Sequence, residues 1–580
     1  MLVRKPLALC AAVALLVCTS FGVASAAPSK SFQLEDLRKL VSLSDPQISP
    51  DGTKIAVIVS TPDWKSDKRR QEIDLVDVAT GAKRALTWKR TGLDSVHWSP
   101  DGTKLAFLAD DNGAQDGSDS KDNDDSGKDD DDKKAQIFVM PMDGGDPVRI
   151  THAKQGVDAF SWSPDGSRIA FLTADEAKNA KAIKEHDDAF RVTDNNFLAR
   201  AALTPDHLWV VSSAGGEPKR LTEGEFSLQT DQQDSAPEPA WTHDGRGIAF
   251  TRFPGPWWGP SFRSVVDEVD ANGGKPQSLV AAQGSSSLKF APNGDTYAFM
   301  RPRNGDQNNG NAVYVGNRQG DPDDVTAALA RNIDTYEWLP RGKALLLAGS
   351  KGTHATLWVQ PLDGVARELD LGDVQVNPEL SVADDGRVAF IAVTSEHPDE
   401  LYVLDSVNAK PRRLTDLNAF VEQLKLGRSE AVQWKSADGF DEDGVLTYPP
   451  GFKQGGKYPL VLVIHGGPEG SSDLRFSPLV QLFAANGFLV FQPNYRGSTN
   501  LGDKYQHAIF RDTGEGPGKD VMAGLATVEK LGIVDTTRIG VSGWSYGGYM
   551  TTWLTGHYDE WKAAVAGAAL TDWVMDYTVS

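Results

Sequence analysis

A short block of turn residues followed by a hydrophobic run returns seven times along the chain. "SPDGTKIAVIV" at Ser49 recurs as "SPDGTKLAFLA" at Ser99 and as "SPDGSRIAFLT" at Ser163. Weaker copies begin at Thr242, Ala291, Leu339 and Ala383. Each block has Gly at one fixed position, where a positive φ costs least, ahead of a run of β-type residues. The pattern predicts a tight turn that leads into a strand in every copy.

A second partial repeat follows the turn blocks and predicts another pair of strands. Examples are "IDLVDVATGAKRALT" from Ile73 and "HLWVVSSAGGEPKRLT" from His207. Two hairpin-like halves give about four strands per unit, and seven such units are typical of a β-propeller. We therefore predict a seven-bladed β-propeller over residues 27–415. The Asp residues of the turn blocks are interpreted as turn caps rather than as catalytic or metal-binding groups.

The pattern changes after about Thr415, where apolar strands and amphipathic helices alternate. Strands are predicted within Pro459–Gly470, Gly487–Gly497 and Lys562–Leu570, a helix over Gly518–Gly532, and a strand, a turn and a helix within Arg538–Gly556. Such alternation predicts a parallel sheet with right-handed crossovers. Residues 416–580 are predicted to form the N-terminal part of an α/β-hydrolase domain.

The most specific chemical signal is "GWSYGG" (Gly543–Gly548), a G-x-S-x-G motif between a predicted strand and a predicted helix. That context is typical of a nucleophile elbow, so Ser545 is the predicted nucleophile. An upstream "HGG" supplies a glycine loop that can approach a developing oxyanion. We assign the oxyanion hole to the backbone N–H groups of Tyr546 and Gly467. His465 is interpreted as a brace for this loop, and a role as general base is the alternative.

Composition and charge remove several other function classes. A net charge of −21 argues against nucleic-acid binding, which needs a basic surface. The Asp-rich segment Asp110–Lys134 is predicted to be a disordered, solvated loop. Within it, Asp122 begins a sequence like that of a calcium loop, but Lys133 occupies the position that needs a bidentate Glu. No cofactor and no metal are therefore implied.

The N-terminal residues 1–26 are predicted to be a signal peptide. Arg4 precedes an apolar run, and small residues at Ala24–Ala26 form a cleavage site, so the protein is expected to be exported to the periplasm or secreted. A retained membrane anchor and lipidation at Cys18 are the alternatives. Both cysteines of the chain, Cys10 and Cys18, lie in this segment. The mature chain would then have no disulfide, no thiolate metal site and no integral membrane span.

The Ser545 elbow, the "HGGP" loop, "NYRGS" and the seven repeats together resemble the prolyl oligopeptidase family of serine peptidases. Its acylaminoacyl-peptidase and dipeptidyl-peptidase-like bacterial branch is the most similar. The resemblance implies a propeller that caps the hydrolase, so that short peptides enter and folded proteins do not. It also implies that Leu570, Trp573 and Tyr577 form an apolar wall for the residue before the scissile bond, with ordinary core packing as the alternative. Arg496 is implied to be structural, and the cleavage specificity stays open.

The partners that such a serine needs are not evident in the sequence. The only histidine after Ser545 is His557, twelve residues along the predicted helix and therefore roughly 18 Å away. Asp572 and Asp576 follow the very next strand, too early for the usual acid, and His507 precedes the serine. We expect that the triad Asp and His lie beyond residue 580.

This expectation has two consequences. The sheet should have an unpaired edge with uncovered apolar surface, and the 580-residue chain should be inactive alone.

Two other functions remain open at this point. One is an esterase on the same α/β-hydrolase scaffold, and the other is a non-catalytic propeller that binds a partner.

Overall fold

The described residues form seven four-stranded sheets followed by one six-stranded sheet, besides one two-stranded pairing. The structure, a computed structural model, describes residues 30–574 apart from residues 89, 111–133, 190–201, 232–234, 258, 260 and 295. The seven-bladed β-propeller and the α/β-hydrolase domain predicted from the sequence are both confirmed. The predicted signal peptide and nearly all of the acidic loop lie outside the described residues.

Every blade is built from four consecutive strands, each antiparallel to the next. A short strand, β1 (Lys30–Ser31), precedes the blades. The first three blades are β2 (Ser42–Ile48), β3 (Lys54–Asp63), β4 (Lys68–Asp77), β5 (Lys83–Ala85); β6 (Asp94–Trp98), β7 (Lys104–Asp110), β8 (Ala135–Pro141), β9 (Val148–Arg149); and β10 (Ala159–Trp162), β11 (Arg168–Ala174), β12 (Asp206–Ser212), β13 (Lys219–Arg220). Helix α1 (Ala180–Lys184) lies in the long connection between β11 and β12.

The remaining four blades follow the same order. They are β14 (Ala240–Trp241), β15 (Gly247–Arg252), β16 (Val265–Asp270), β17 (Gln277–Val280); β18 (Ser286–Phe290), β19 (Tyr297–Pro302), β20 (Asn311–Gly316), β21 (Asp323–Asp324); β22 (Ile333–Trp338), β23 (Ala344–Lys351), β24 (His354–Pro361), β25 (Arg367–Glu368); and β26 (Gln375–Val382), β27 (Val388–Val393), β28 (Glu400–Leu404), β29 (Arg412–Arg413). Strand β30 (Leu424–Lys425) pairs in parallel with β1, so the chain leaves the propeller beside its start. Short 3₁₀ helices occupy Leu34–Lys39, Ser261–Arg263, Arg303–Gly305, Ala419–Gln423 and Thr499–Leu501.

The repeated turn blocks are held by their own Ser and Asp side chains. Ser49 Oγ donates to Asp51 Oδ1 over 2.6 Å, and the Thr53 N–H donates to the same oxygen over 3.0 Å. The second and third blades repeat these bonds. The block glycine has positive φ, +68° at Gly102, and a Cβ there would lie 3.6 Å from Pro50 of the preceding block. The interpretation of these Asp residues as turn caps is confirmed.

Tryptophans just before four of the turn blocks tie neighbouring blades together. Each indole Nε1–H donates to a main-chain carbonyl on the innermost strand of the previous blade. The pairs are Trp98 with Gln47 (2.9 Å), Trp162 with His97 (3.2 Å), Trp241 with Ser161 (3.3 Å) and Trp338 with Lys289 (3.0 Å). The ring closes through a shared apolar cluster of the first and seventh blades, including Leu43, Ile55 and Ile391, rather than through a shared strand. The propeller is therefore closed by side-chain packing.

The six-stranded sheet carries the hydrolase domain. Its strands are β31 (Ser429–Lys435), β32 (Asp441–Thr447), β33 (Tyr458–Ile464), β34 (Leu489–Pro493), β35 (Val534–Trp544) and β36 (Trp561–Gly567), and its helices are α2 (Pro478–Ala485), α3 (Asp503–His507), α4 (Glu515–Glu529) and α5 (Tyr546–His557). The spatial order is β31-β32-β34-β33-β35-β36. Among the described helices, none is both long enough and apolar enough to cross a bilayer.

The predicted parallel sheet is confirmed for the four strands that the sequence indicated, whereas two further strands, β31 and β32, were not predicted. Strand β32 is antiparallel to both β31 and β34, whereas β34, β33, β35 and β36 are mutually parallel. In Ser429–Lys435 buried and exposed positions are mixed, because this edge strand buries only one face. Its pattern therefore lacks the continuous apolar run that marks the central strands. The last strand also ends at Gly567, three residues before its predicted end.

The edge formed by β36 is open in the described part of the chain. Strand β36 pairs with β35 on one side, and no described strand lies on its other side. Most of its residues are exposed, Val565 to 67%. An apolar strand of a parallel sheet is normally covered on both faces. The predicted unpaired edge with uncovered apolar surface is confirmed.

The propeller rests on the loops at the carboxyl end of this sheet. Arg303 of the fifth blade is buried, and its guanidinium lies 2.5 Å from the carboxylate of Asp503. The main chain of Gly352 in the sixth blade exchanges two hydrogen bonds with Asn500. The two domains therefore meet where β33 and β34 end, which is the edge at which active sites of α/β sheets lie.

Candidate active site

Ser545 occupies a sharp turn between β35 and α5. Its φ of +58° and ψ of −122° lie in a region that non-glycine residues rarely adopt. The turn is fixed by close backbone contacts, since a Cβ on Gly547 would lie 2.1 Å from the carbonyl oxygen of Ile464 and one on Gly543 would lie 2.3 Å from the carbonyl oxygen of Gly547. Only glycine fits at both positions. The packing of the elbow against β33 thus holds the serine in its strained conformation.

The glycine loop after β33 lies directly against this elbow. A Cβ on Gly466 would be 3.3 Å from Cβ of Ser545. The N–H groups of Gly467 and of Tyr546, the first residue of α5, donate no hydrogen bond within the described residues. The structure therefore brings the two predicted oxyanion donors to segments that meet at the predicted nucleophile. Unpaired N–H groups beside a nucleophile are what an oxyanion hole requires.

His465 is engaged in holding the glycine loop. Its Nδ1 lies 2.9 Å from the carbonyl oxygen of Gly466, which can only accept, so Nδ1 carries the proton. Its Nε2 lies 2.9 Å from the hydroxyl of Ser498. Burial lowers the pKa of His465 to about 4, so the ring is neutral at pH 7. Both nitrogens are occupied, and neither bonds to Ser545, which fits a brace and not a general base.

The other two histidines of the domain lie away from Ser545. His557 is the last residue of α5, where its Nδ1 donates to the carbonyl of Trp553 over 2.7 Å and its ring stacks on that indole at 3.9 Å. His507 lies at the domain junction, 3.2 Å from the carboxylate of Asp306. No described imidazole or carboxylate forms a hydrogen bond with Ser545.

Part of the predicted substrate wall lies beside the elbow. The indole of Trp573 meets the ring of Tyr549 edge to face at 5.2 Å and lies 6.5 Å from the ring of Tyr546. Leu570 is half-buried in the segment between β36 and Trp573. Tyr577 lies outside the described residues. The pocket role of these three residues stays a prediction.

A buried ionic cluster is formed by Arg496, Asp520 and Glu442, and the sequence predicted only the structural role of Arg496. Arg496, expected to be structural, donates from Nε and Nη2 to both carboxylate oxygens of Asp520, each over 2.7 Å. Asp520 is fully buried on α4. Burial raises the pKa of the neighbouring Glu442, and the Asp520 carboxylate raises it further. The available signal was an Asp on the apolar face of a predicted helix, which requires a cationic partner when buried.

Comparison with known proteins shows which family and which proteins this chain is similar to. Residues 474–580 match the prolyl oligopeptidase family. The chain is 27% identical to an uncharacterized peptidase of Bacillus subtilis over 95% of this chain and 84% of that protein. It is 24% identical to dipeptidyl-peptidase 5 of Porphyromonas gingivalis, over 93% of this chain and 79% of that protein.

Solved structures agree on the fold. Acylaminoacyl peptidase of Pyrococcus horikoshii superimposes with a TM-score of 0.74 at 20% identity, covering 95% of this chain and 81% of that one. The likeness spans both the propeller and the sheet, and the match to the family includes Ser545 and its elbow. Residues 474–580 therefore carry the similarity to the prolyl oligopeptidase family, and over nearly its whole length the chain is similar to peptidases.

Proposed function

We propose that this protein hydrolyses short peptides through an acyl-enzyme formed on Ser545. The observation that supports this proposal most directly is the strained elbow, in which Ser545 has a φ of +58° and the free N–H groups of Tyr546 and Gly467 lie beside it. In this reaction the serine Oγ attacks the scissile carbonyl, its proton passes to a base, and the oxyanion is met by the two N–H groups. The base then gives this proton to the nitrogen of the amine, which leaves, and water hydrolyses the acyl-enzyme to release the acyl group.

The propeller is proposed to limit the size of the substrate. It contacts the loops at the carboxyl end of the sheet through Arg303 and Gly352, so it stands over the edge that carries Ser545. A peptide must pass this cover to reach the elbow, whereas a folded protein is too large to do so. The names of the relatives include dipeptidyl-peptidase 5 and acylaminoacyl peptidase, which agrees with short substrates. Leu570 and Trp573 are proposed to receive the residue before the scissile bond.

Residues 1–580 by themselves are proposed to have no peptidase turnover. Proton removal from a serine needs a base within hydrogen-bond reach, about 2.6–3.2 Å. Among the described histidines of the hydrolase domain, His465 is occupied by Gly466 and Ser498, and His557 lies at the far end of α5. His507 lies at the domain junction beside Asp306. Without a base, the nucleophile and the oxyanion donors form only part of the catalytic machinery.

The deciding experiment compares residues 1–580 with the complete product of the gene, each with and without Ser545→Ala. Substrates are blocked peptides, dipeptide derivatives with a free amino terminus, and simple esters. Peptide turnover by the complete product that is abolished by Ser545→Ala is the expected result. Turnover of esters but not of peptides would favour an esterase, and a complete product that turns over nothing would leave a binding propeller. Ser545-dependent turnover by residues 1–580 would refute the proposed inactivity.

Export is proposed for the mature chain because of the apolar N-terminal run and its "ASA" site. The test is N-terminal sequencing of the protein from a bacterial host after fractionation. We expect an extracytoplasmic protein that begins after Ala26 or Ala27. An intact N-terminus in the cytoplasmic fraction would contradict this proposal.

A further inference from the structure

The two proposed oxyanion donors lie on segments that are far apart in the sequence. Gly467 follows β33, and Tyr546 begins α5. Stabilisation of an oxyanion depends on donors held within tenths of an ångström of their working positions. The following inference rests on the proposed function and concerns the group that holds these two segments in register.

Three aromatic rings connect the two segments. The ring of Tyr495, from the loop after β34, stacks on His465 at 4.4 Å with an interplanar angle of 14°. The same ring also stacks on Tyr546 at 5.5 Å and 21°. Tyr495 is fully buried, and Tyr546 is 1% exposed. Tyr495 is thus the middle ring between the residue before the glycine pair and the residue after the nucleophile.

Hydrogen bonds from two of these rings anchor the stack to the main chain. The Tyr495 hydroxyl donates to the main-chain carbonyl of His465 over 2.7 Å, which anchors the peptide unit leading into Gly466. The Tyr546 hydroxyl donates to the carbonyl of Thr513 over 2.5 Å. The ring of Tyr495 therefore sets the distance between the segments, and its hydroxyl sets the orientation of the glycine loop.

We propose that Tyr495 is a positioning residue for the oxyanion hole. Its ring contacts both donor segments, whereas its hydroxyl bonds only to the glycine-loop segment, and this difference distinguishes the proposal from simple core packing. A ring that only fills volume would affect the whole domain in the same way, and loss of its hydroxyl would have no local effect on the glycine loop.

The test is hydrogen–deuterium exchange of residues 1–580 with Tyr495→Phe and Tyr495→Leu, read on segments 464–470 and 543–549. Tyr495→Phe keeps the ring and loses the bond to His465. Exchange should then rise about tenfold in segment 464–470, the loss expected for a buried hydrogen bond, and stay unchanged in segment 543–549. Tyr495→Leu should raise exchange in both segments. Phe491→Leu, another fully buried ring of the same sheet, is the matched control and should favour neither segment.

Two outcomes would overturn the proposal. One is a wild-type exchange rate in segment 464–470 of Tyr495→Phe. The other is an increase in Tyr495→Leu that is spread over the domain as in Phe491→Leu. If Tyr495→Leu does not fold, Tyr495→Phe decides alone, because it keeps the ring and removes only the hydroxyl that bonds to His465. Exchange needs no turnover, so a failure here is distinct from a failure of the Ser545 chemistry.

Discussion

Gly547→Ala is the sharpest test of how the elbow is assembled. The added Cβ would lie 2.1 Å from the carbonyl oxygen of Ile464 and 2.9 Å from that of His465. Both are main-chain atoms at the end of a central strand, so neither can move without moving β33. Gly547 lies inside α5 without positive φ, and alanine would otherwise suit the position.

The expected size of the effect follows from these contacts. Overpacking of a tight interior costs typically about 1–3 kcal/mol and sometimes more. The matched control is Gly556→Ala in the last turn of the same helix, where no atom lies within 4 Å of the new Cβ. There the helix preference of alanine should stabilise the domain by roughly 0.5–1 kcal/mol. The same chemical change should therefore have opposite signs at the two ends of α5.

Differential scanning calorimetry of the two variants provides the measurement. One kcal/mol corresponds to roughly 2–4 °C in Tm for a domain of about 150–250 residues. Gly547→Ala should lower the transition of the hydrolase domain by several degrees, and Gly556→Ala should raise it slightly. A Tm of Gly547→Ala at or above that of the wild type would refute the close approach of the elbow to β33. Equal losses in both variants would mean that α5 tolerates no added methyl group, whatever its contacts.

Three further predictions concern groups outside the elbow. Arg496→Met leaves the carboxylate of Asp520 buried without its partner, so unfolding in urea should require about 3–5 kcal/mol less free energy. Burial alone lowers the pKa of His97, but Glu238 at 3.2 Å outweighs it, and the pKa rises to about 9. The contribution of His97 to stability is therefore complete below its ordinary pKa of about 6.5 and lost as pH rises through about 9; His97→Gln should show a smaller loss of Tm over this interval. Trp162→Phe removes one bond between blades and should cost about 1 kcal/mol in calorimetry, whereas an unchanged propeller transition would show that this bond is not stabilising.

The propeller could be predicted from the sequence because each blade repeats the same short turn motif. Ser49, Asp51 and Gly52 specify a turn within a few residues, and seven copies leave few alternatives. The order of the hydrolase strands was harder to predict, since β34 inserts between β32 and β33. Such a crossover is determined by packing between distant segments, which a pattern of apolar residues does not record.

The candidate site shows the same difference between features set by adjacent residues and features set by contacts between distant residues. Ser545 and its flanking glycines form a contiguous motif, so the strained turn could be predicted from the residues alone. The contacts that hold it connect Tyr495 with His465 and Tyr546, which lie 30 and 51 positions away in the chain. "NYRGS" contributed to the resemblance, but its sequence does not indicate that Tyr495 lies between the two donor segments.

These contacts also distinguish two requirements of acyl transfer, namely stabilisation of the oxyanion and removal of the proton from the serine. The strain at Ser545, the free N–H groups of Gly467 and Tyr546 and the stack through Tyr495 are all supplied by described residues of the hydrolase domain. None of these contacts involves a general base, so the electrostatic part of the site is organised independently of proton transfer. In serine proteases, an oxyanion hole with substrate binding alone retains about 10³–10⁴-fold catalysis over water. Such residual catalysis persists without the serine, so an intact elbow with a correctly held glycine loop does not by itself establish Ser545-dependent turnover, and only the Ser545→Ala comparison can distinguish organisation of the site from activity.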